Sequence, residues 1–103
     1  MTRDLHPKAE EELHDSAHWY GERSLFAAER FLVAMENAMD TVMKDPVRYQ
    51  PVGDGVRVYR LDRFPYKLYY EHDESRQHVS FLCIMHHKRR PEYWRDRVTG
   101  WSE

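Results

Sequence analysis

Apolar positions along the first 45 residues recur three and four apart, whereas between residues 56 and 86 they gather in short runs with strand-like alternation. Ala9, Leu13, Ala17 and Tyr20 fall on one stripe, so residues 7–20 read as an amphipathic helix. Pro7 suits its first turn, where a missing N–H costs nothing. Glu10, Glu11 and Glu12 then stand near the positive end of the helix dipole, and Gly21 ends the helix. Ser24 is a fair N-cap for a second helix. Its stripe is Leu25, Ala28, Leu32, Met35, Met39 and Val42, widened by Phe31, Ala34 and Ala38. Pro46 stops it at Asp45. Only residues 21–23 separate the two helices, which makes them an αα-hairpin.

Pro46, Pro51, Gly53 and Gly55 mark residues 46–55 as a turn-rich connector. Three strands are expected after it, Val56–Leu61, Tyr66–Glu71 and Val79–His86, with a turn at Asp73-Glu74-Ser75-Arg76 closing an antiparallel hairpin. Tyr66, Leu68 and Tyr70 share one face of the middle strand. The third strand is apolar on both faces, which predicts the most buried position. Pro91 allows a short final helix around residues 91–97, and residues 2–5 could add an edge strand. The expectation is an α+β fold, with an N-terminal αα-hairpin packed on one face of a small antiparallel sheet of three to four strands and a short C-terminal helix. At 103 residues, a single domain covering 1–103 is the default.

Composition changes this picture little: 41% hydrophobic and 33% charged residues suit a folded globular chain rather than a disordered one. Charge changes it more. Residues 1–45 carry five Lys/Arg against ten Asp/Glu, while residues 57–97 carry ten against six, so the overall charge of -2 hides an acidic helical half and a basic sheet half. Basic segments suit nucleic acid or acidic protein surfaces. The lone cysteine, Cys83, lies inside the apolar run 79–85 and reads as a small buried hydrophobe rather than a nucleophile. No internal disulfide is possible, which fits a reducing compartment. No apolar run nears the ~20 residues that span a bilayer, and the N-terminus is not a signal peptide. A cytoplasmic location without membrane contact is expected.

The densest candidate chemistry closes the third strand: His86, His87, Arg89, Arg90 and Tyr93, with Arg57, Arg60 and Arg63 on the first of the three strands and the loop after it. Histidine is the natural acid or base near neutral pH. Arginine grips phosphate and stabilises developing negative charge. Tyr93 could stack on a base or move a proton. The set suits metal-free RNA cleavage, which needs a base for the 2′-hydroxyl, a cation for the phosphorane and an acid for the leaving 5′-oxygen. A cationic surface that pairs with acidic side chains of a partner explains the same residues as well. His14 and His18 lie four apart on the first helix and could hold zinc. The metalloprotease pattern would need Glu at Asp15 and a third ligand, so exposed histidines are the simpler reading. Met35, Met39 and Met43, and Trp19, read as core; Trp94 and Trp101 stay undecided. Gly53 and Gly55 precede no helix and so cradle no phosphate. Without a serine triad, a Cys/His cluster or a nucleotide fingerprint, no cofactor and no metal are expected.

Five segments, taken in order, resemble the RelE/ParE superfamily of toxins from bacterial type II toxin–antitoxin systems. They are His6-Pro7-Lys8-Ala9-Glu10, Ala28-Glu29-Arg30-Phe31, Gly55-Val56-Arg57, the run from Phe64 to Tyr70, and the run from Met85 to Trp94. The resemblance implies a compact α+β fold and a growth-inhibiting toxin, neutralised by an antitoxin that is acidic where it binds. One branch of the superfamily cleaves mRNA on the ribosome. There, basic sheet residues and a C-terminal Tyr or His carry the chemistry, which would fall here to Arg57, Arg60, Arg89 and Tyr93, with His86 or His87 as acid or base. The other branch poisons DNA gyrase without a known catalytic site. It shares the His and Arg found here at His86 and Arg89. Two features depart from the mRNA-cleaving branch: the chain is slightly acidic, and Lys67 and Lys88 are its only lysines after Lys44. The leading expectation is ribosome-dependent, metal-independent mRNA cleavage. Gyrase inhibition, or a weak toxin kept as an antitoxin-binding module, is the alternative.

Overall fold

Residues 1–88 and 93–98 are described by the computed structural model. The chain runs β1 (Thr2–Leu5), α1 (Pro7–Gly21), α2 (Leu25–Lys44), β2 (Gln50–Gly53), β3 (Val56–Arg60), β4 (Tyr66–Asp73) and β5 (His78–His86), followed by one 3₁₀ turn at Arg95–Arg97. Both helices start where side chains satisfy the free amides of the first turn. His6 Nδ1 accepts the Lys8 N–H at 3.0 Å, and Ser24 Oγ accepts the Ala27 N–H at 3.3 Å.

The five strands form one mixed sheet in the order β1-β5-β4-β3-β2, with β1 parallel to β5 and every other pair antiparallel. This corrects the expected antiparallel sheet of three to four strands. The 2–5 segment is the expected edge strand, but it pairs in parallel. The other edge, β2, lies inside the stretch read as a connector. Four residues are too few to display alternation, and Pro51 is tolerated because an edge strand leaves one side of its backbone unpaired. Asp54 and Gly55, both with positive φ, form the two-residue turn that joins β2 to β3. The expected C-terminal helix over 91–97 is also corrected. Residues 91 and 92 lie outside the described residues, and the part within them holds only the single 3₁₀ turn.

The hairpin covers one sheet face. Phe31, Met35, Ala38, Met39 and Val42 pack against Leu68, Tyr70, Val79, Phe81 and Ile84. Leu25 and Leu32, expected in this stripe, are 79% and 43% exposed. A helix advances about 100° per residue, so Leu32 sits a quarter-turn round from Phe31, on the flank. Trp19, expected in the core, is 49% exposed, and the Arg23 guanidinium lies 3.5 Å over its ring. Its neighbour Tyr20 packs inward against Phe31 and Phe64 instead. The opposite sheet face carries Val56, Val58, Tyr69, Cys83 and Met85, capped by Trp94, which is 2% exposed and stacks on Tyr69 at 5.7 Å.

One irregularity governs how β5 faces these two layers. Tyr70 pairs with Phe81 and Tyr69 with Cys83, so Leu82 is an extra residue, a β-bulge. Before it Val79 and Phe81 face the hairpin; after it Ile84 does. Beyond the end of β1, side chains take over the bonding of β5. Glu12 of α1 accepts the Ile84 N–H at 3.0 Å, and Arg97 donates to the Leu82 carbonyl at 3.1 Å. Glu12 and Arg97 also pair with each other at 2.8 Å, with Arg97 almost wholly buried. One ion pair thus ties α1, the bulge and the C-terminal segment together.

Removing one partner of a buried pair leaves an uncompensated charge, at about 3–5 kcal/mol. Glu12→Ala should therefore lose about that much stability in urea unfolding, and Glu12→Gln, which can still accept the Ile84 N–H, should lose less. His6 generates a pH-dependent expectation. Burial first, and then the positive charges of Arg97 and Lys8, lower its pKa against the opposing pull of Asp96 and Glu12. The folded state thus holds fewer protons than the unfolded one, so the His6 contribution is complete above the ordinary imidazole pKa and falls away as pH drops below it. His6→Asn, which keeps a cap acceptor but does not titrate, should flatten that part of the stability-versus-pH curve.

Candidate functional site

The bulge at Leu82 decides where the histidines at the end of β5 go. Two residues past Ile84, His86 faces the hairpin side, half-buried, with its ring edge-on to Tyr66 at 5.3 Å. Its Nδ1 accepts the Lys88 N–H at 3.2 Å, which leaves the proton of the neutral ring on Nε2. His87 is exposed; its backbone N–H donates to the Pro65 carbonyl at 2.9 Å, and its ring centroid lies 6.5 Å from that of His86.

The three arginines expected to hold phosphate together take three different places. Arg57 shares the hairpin-side face with Tyr59 and Tyr70, and its guanidinium donates to the Tyr49 carbonyl at 2.7 Å. Alternation along β3 puts Arg60 on the opposite face, beside Val58. Arg63 lies in the β3–β4 loop, next to Ala34 and Asn37 of α2. Tyr93 is half-buried against the Trp94 layer, 4.8 Å from the Arg97 guanidinium. Arg89 and Arg90 lie outside the described residues. His86 and Arg57 thus sit on one side of the sheet, Arg60 and Tyr93 on the other, and His87 at its end. Tyr70 supplies no proton near neutral pH, because burial pushes its pKa up to about 12 and its hydroxyl donates to the Pro46 carbonyl at 2.5 Å.

Two surface features were not foreseen. The first is a shallow pocket of about 220 Å³ on the open sheet face, floored by Val58, Tyr69 and Trp94 and rimmed by Arg60, Lys67 and Arg95. Arg95 is paired with Asp54 at 2.6 Å. The pairing of Arg60 with Lys67 across two strands depends on register, which no local pattern displays. The second is a groove of about 390 Å³ along α2, bounded by Phe26, Arg30, Val33, Arg63 and Phe64. Phe26 is 67% and Val33 59% exposed. Among the described residues, no three His, Cys, Asp or Glu side chains converge as metal ligands, and His14 and His18 are exposed on α1. Among the same residues, no helix is long and apolar enough to cross a membrane.

A family model described as the ParE toxin of type II toxin-antitoxin system, parDE, matches residues 4–91. The chain belongs to this family, and with it to the RelE/ParE superfamily. It is a toxin of a type II toxin–antitoxin system, and its partner is an antitoxin. No curated protein matches the chain.

The different surroundings of the arginines give a measurable contrast. Arg57→Ala strands the Tyr49 carbonyl and should cost about 1.5–3 kcal/mol, the range for a hydrogen bond from a charged group. Arg60→Ala removes no such bond and should stay within about 0.5 kcal/mol of the parent. Denaturant midpoints of the two variants check this directly.

Proposed function

We propose that this ParE-family toxin inhibits DNA gyrase without chemistry of its own, docking through the exposed outer face of its helical hairpin. The observation that carries this reading is the division of the candidate catalytic residues by the sheet. An RNA-cleaving site needs base, cation and acid within hydrogen-bond reach of one scissile phosphate. Here His86 and Arg57 lie on the hairpin side, and Arg57 is already engaged by a backbone carbonyl, while Arg60 and Tyr93 lie behind the sheet. The match to the ParE family supports the same branch. Docking has a ready surface: the exposed Phe26 and Val33 line the groove along α2. Exposed apolar side chains gathered in this way mark interaction sites.

Cleavage of mRNA is the second reading. What favours it is His87, exposed beside Lys88 at the end of β5 and followed in sequence by Arg89 and Arg90. Induction without antitoxin separates the two, with labelled thymidine and labelled methionine followed in parallel. The gyrase reading predicts early loss of thymidine incorporation while translation continues. It also predicts that Phe26→Glu relieves toxicity and His87→Ala does not. Early loss of methionine incorporation with cut mRNA, relieved by His87→Ala, would overturn it.

A further inference from the structure

We infer that His6 is an acid-sensitive latch on the C-terminal segment: its protonation releases residues 93–98 from the open face of the sheet while the hairpin and the sheet stay folded. His6 joins β1 to α1 and is 8% exposed. Its backbone N–H donates to the Phe81 carbonyl at 2.8 Å, and Arg97 donates to the next carbonyl along β5, that of Leu82, at 3.1 Å. Its Nδ1 accepts the Lys8 N–H at 3.0 Å, so the neutral ring keeps its proton on Nε2. A second proton has to go to Nδ1. There it meets the Lys8 N–H, removes the cap acceptor and puts a positive charge at the positive end of the α1 dipole. Burial, then the positive charges of Arg97 and Lys8, work against protonation, while Asp96 and Glu12 favour it. Glu12 is already divided between Arg97 and the Ile84 N–H, and Asp96 is largely exposed. On β1 and β5, Asp4 and His78 pair with each other at 3.4 Å.

The segment is the part that yields. Its backbone hydrogen bonds among the described residues are internal: the Arg97 N–H donates to the Trp94 carbonyl and the Val98 N–H to the Arg95 carbonyl. Side chains attach it to the rest, Arg97 to Glu12 and Leu82, Trp94 on Tyr69, and Arg95 to Asp54. The hairpin and the sheet share a separate core on the other face, around Phe31, Met35, Leu68 and Phe81, which release leaves covered. A segment held by so few contacts opens at a lower free energy than the whole fold. Release carries Arg97 away from the imidazolium and lets His6 reach water. It also exposes Trp94 and the Val58, Tyr69 and Met85 layer beneath it. The segment lies beyond residues 4–91 matched by the family model, and the latch does not depend on the gyrase reading.

The test is native-state amide hydrogen exchange of the whole chain, read by NMR across the histidine range from about pH 7.5 to about 5.5 and corrected for the intrinsic pH dependence of exchange. The released state has the higher imidazole pKa and takes up the proton. Release therefore grows as pH falls through about 6.5, by up to about tenfold per pH unit, and levels off below the folded-state pKa. The Arg97 and Val98 amides should lose protection by that factor. They should stay less protected than the amides of α2 and β4 at every pH, and unlike those they should not respond to low urea. His6→Asn, and His6→Ser as a second cap residue that does not titrate, should remove the pH dependence at Arg97 and Val98. His78→Asn should leave it in place. Arg97 protection that is absent at the start, or constant with pH, would overturn the proposal. So would protection and urea dependence equal to those of the β4 amides, which is global unfolding, or a pH dependence that survives in both His6 variants or disappears in His78→Asn.

Discussion

The buried pair of Glu12 and Arg97 sits where three parts of the molecule meet, and their arrangement depends on it. By itself such a pair is a poor source of stability, since desolvation offsets most of the attraction between the charges. Its value here lies in what else the two groups hold. β1 ends at Leu5, and past that point Glu12 and Arg97 bond the Ile84 amide and the Leu82 carbonyl of β5. A carboxylate from the first helix and a guanidinium from the C-terminal segment therefore complete the strand at its bulge. They also anchor the segment that seats Trp94 over the second face of the sheet. Helix, sheet and tail are thereby fixed relative to one another.

The bulge in turn governs which side chains share a face of the sheet. One extra residue at Leu82 reverses which side of β5 faces the hairpin, and so sends His86 toward Tyr66 and away from the face that carries Arg60. What remains on the open face is cationic, rimmed by Arg60, Lys67 and Arg95. What remains on the outside of α2 is apolar and exposed, a surface suited to a protein partner. A family of toxins whose partners include an antitoxin has use for surfaces of both kinds.

Much of this was legible in the chain, and the rest was hidden for identifiable reasons. The αα-hairpin follows from caps and periodicity that act within a few residues: Pro7, Ser24, the Phe31–Met35–Val42 stripe and Pro46. The three long strands were visible in their apolar runs. β1 and β2 were too short to show alternation, and β2 carries Pro51, which argues against a strand unless it lies at an edge. Leu25 and Leu32 were misplaced because two adjacent stripes on α2 compete, and only the partner sheet decides between them. Glu12 looked like a helix-dipole residue, since nothing local ties position 12 to position 97. The ordered set of family-like segments reached the superfamily correctly. It could not show that the sheet separates Arg57 from Arg60, because that separation needs the alternation of β3 together with knowledge of which face the helices cover.

The claim that this toxin works by docking rather than by catalysis meets its most direct test with purified components. Relaxed plasmid, gyrase and ATP are mixed with increasing amounts of the chain, and supercoiled, relaxed and linear forms are separated on a gel. Docking on gyrase predicts loss of supercoiling together with accumulation of linear, cleaved plasmid. Unimpaired supercoiling at a large molar excess of the chain, alongside cleavage of mRNA on purified ribosomes by the same preparation, would contradict it.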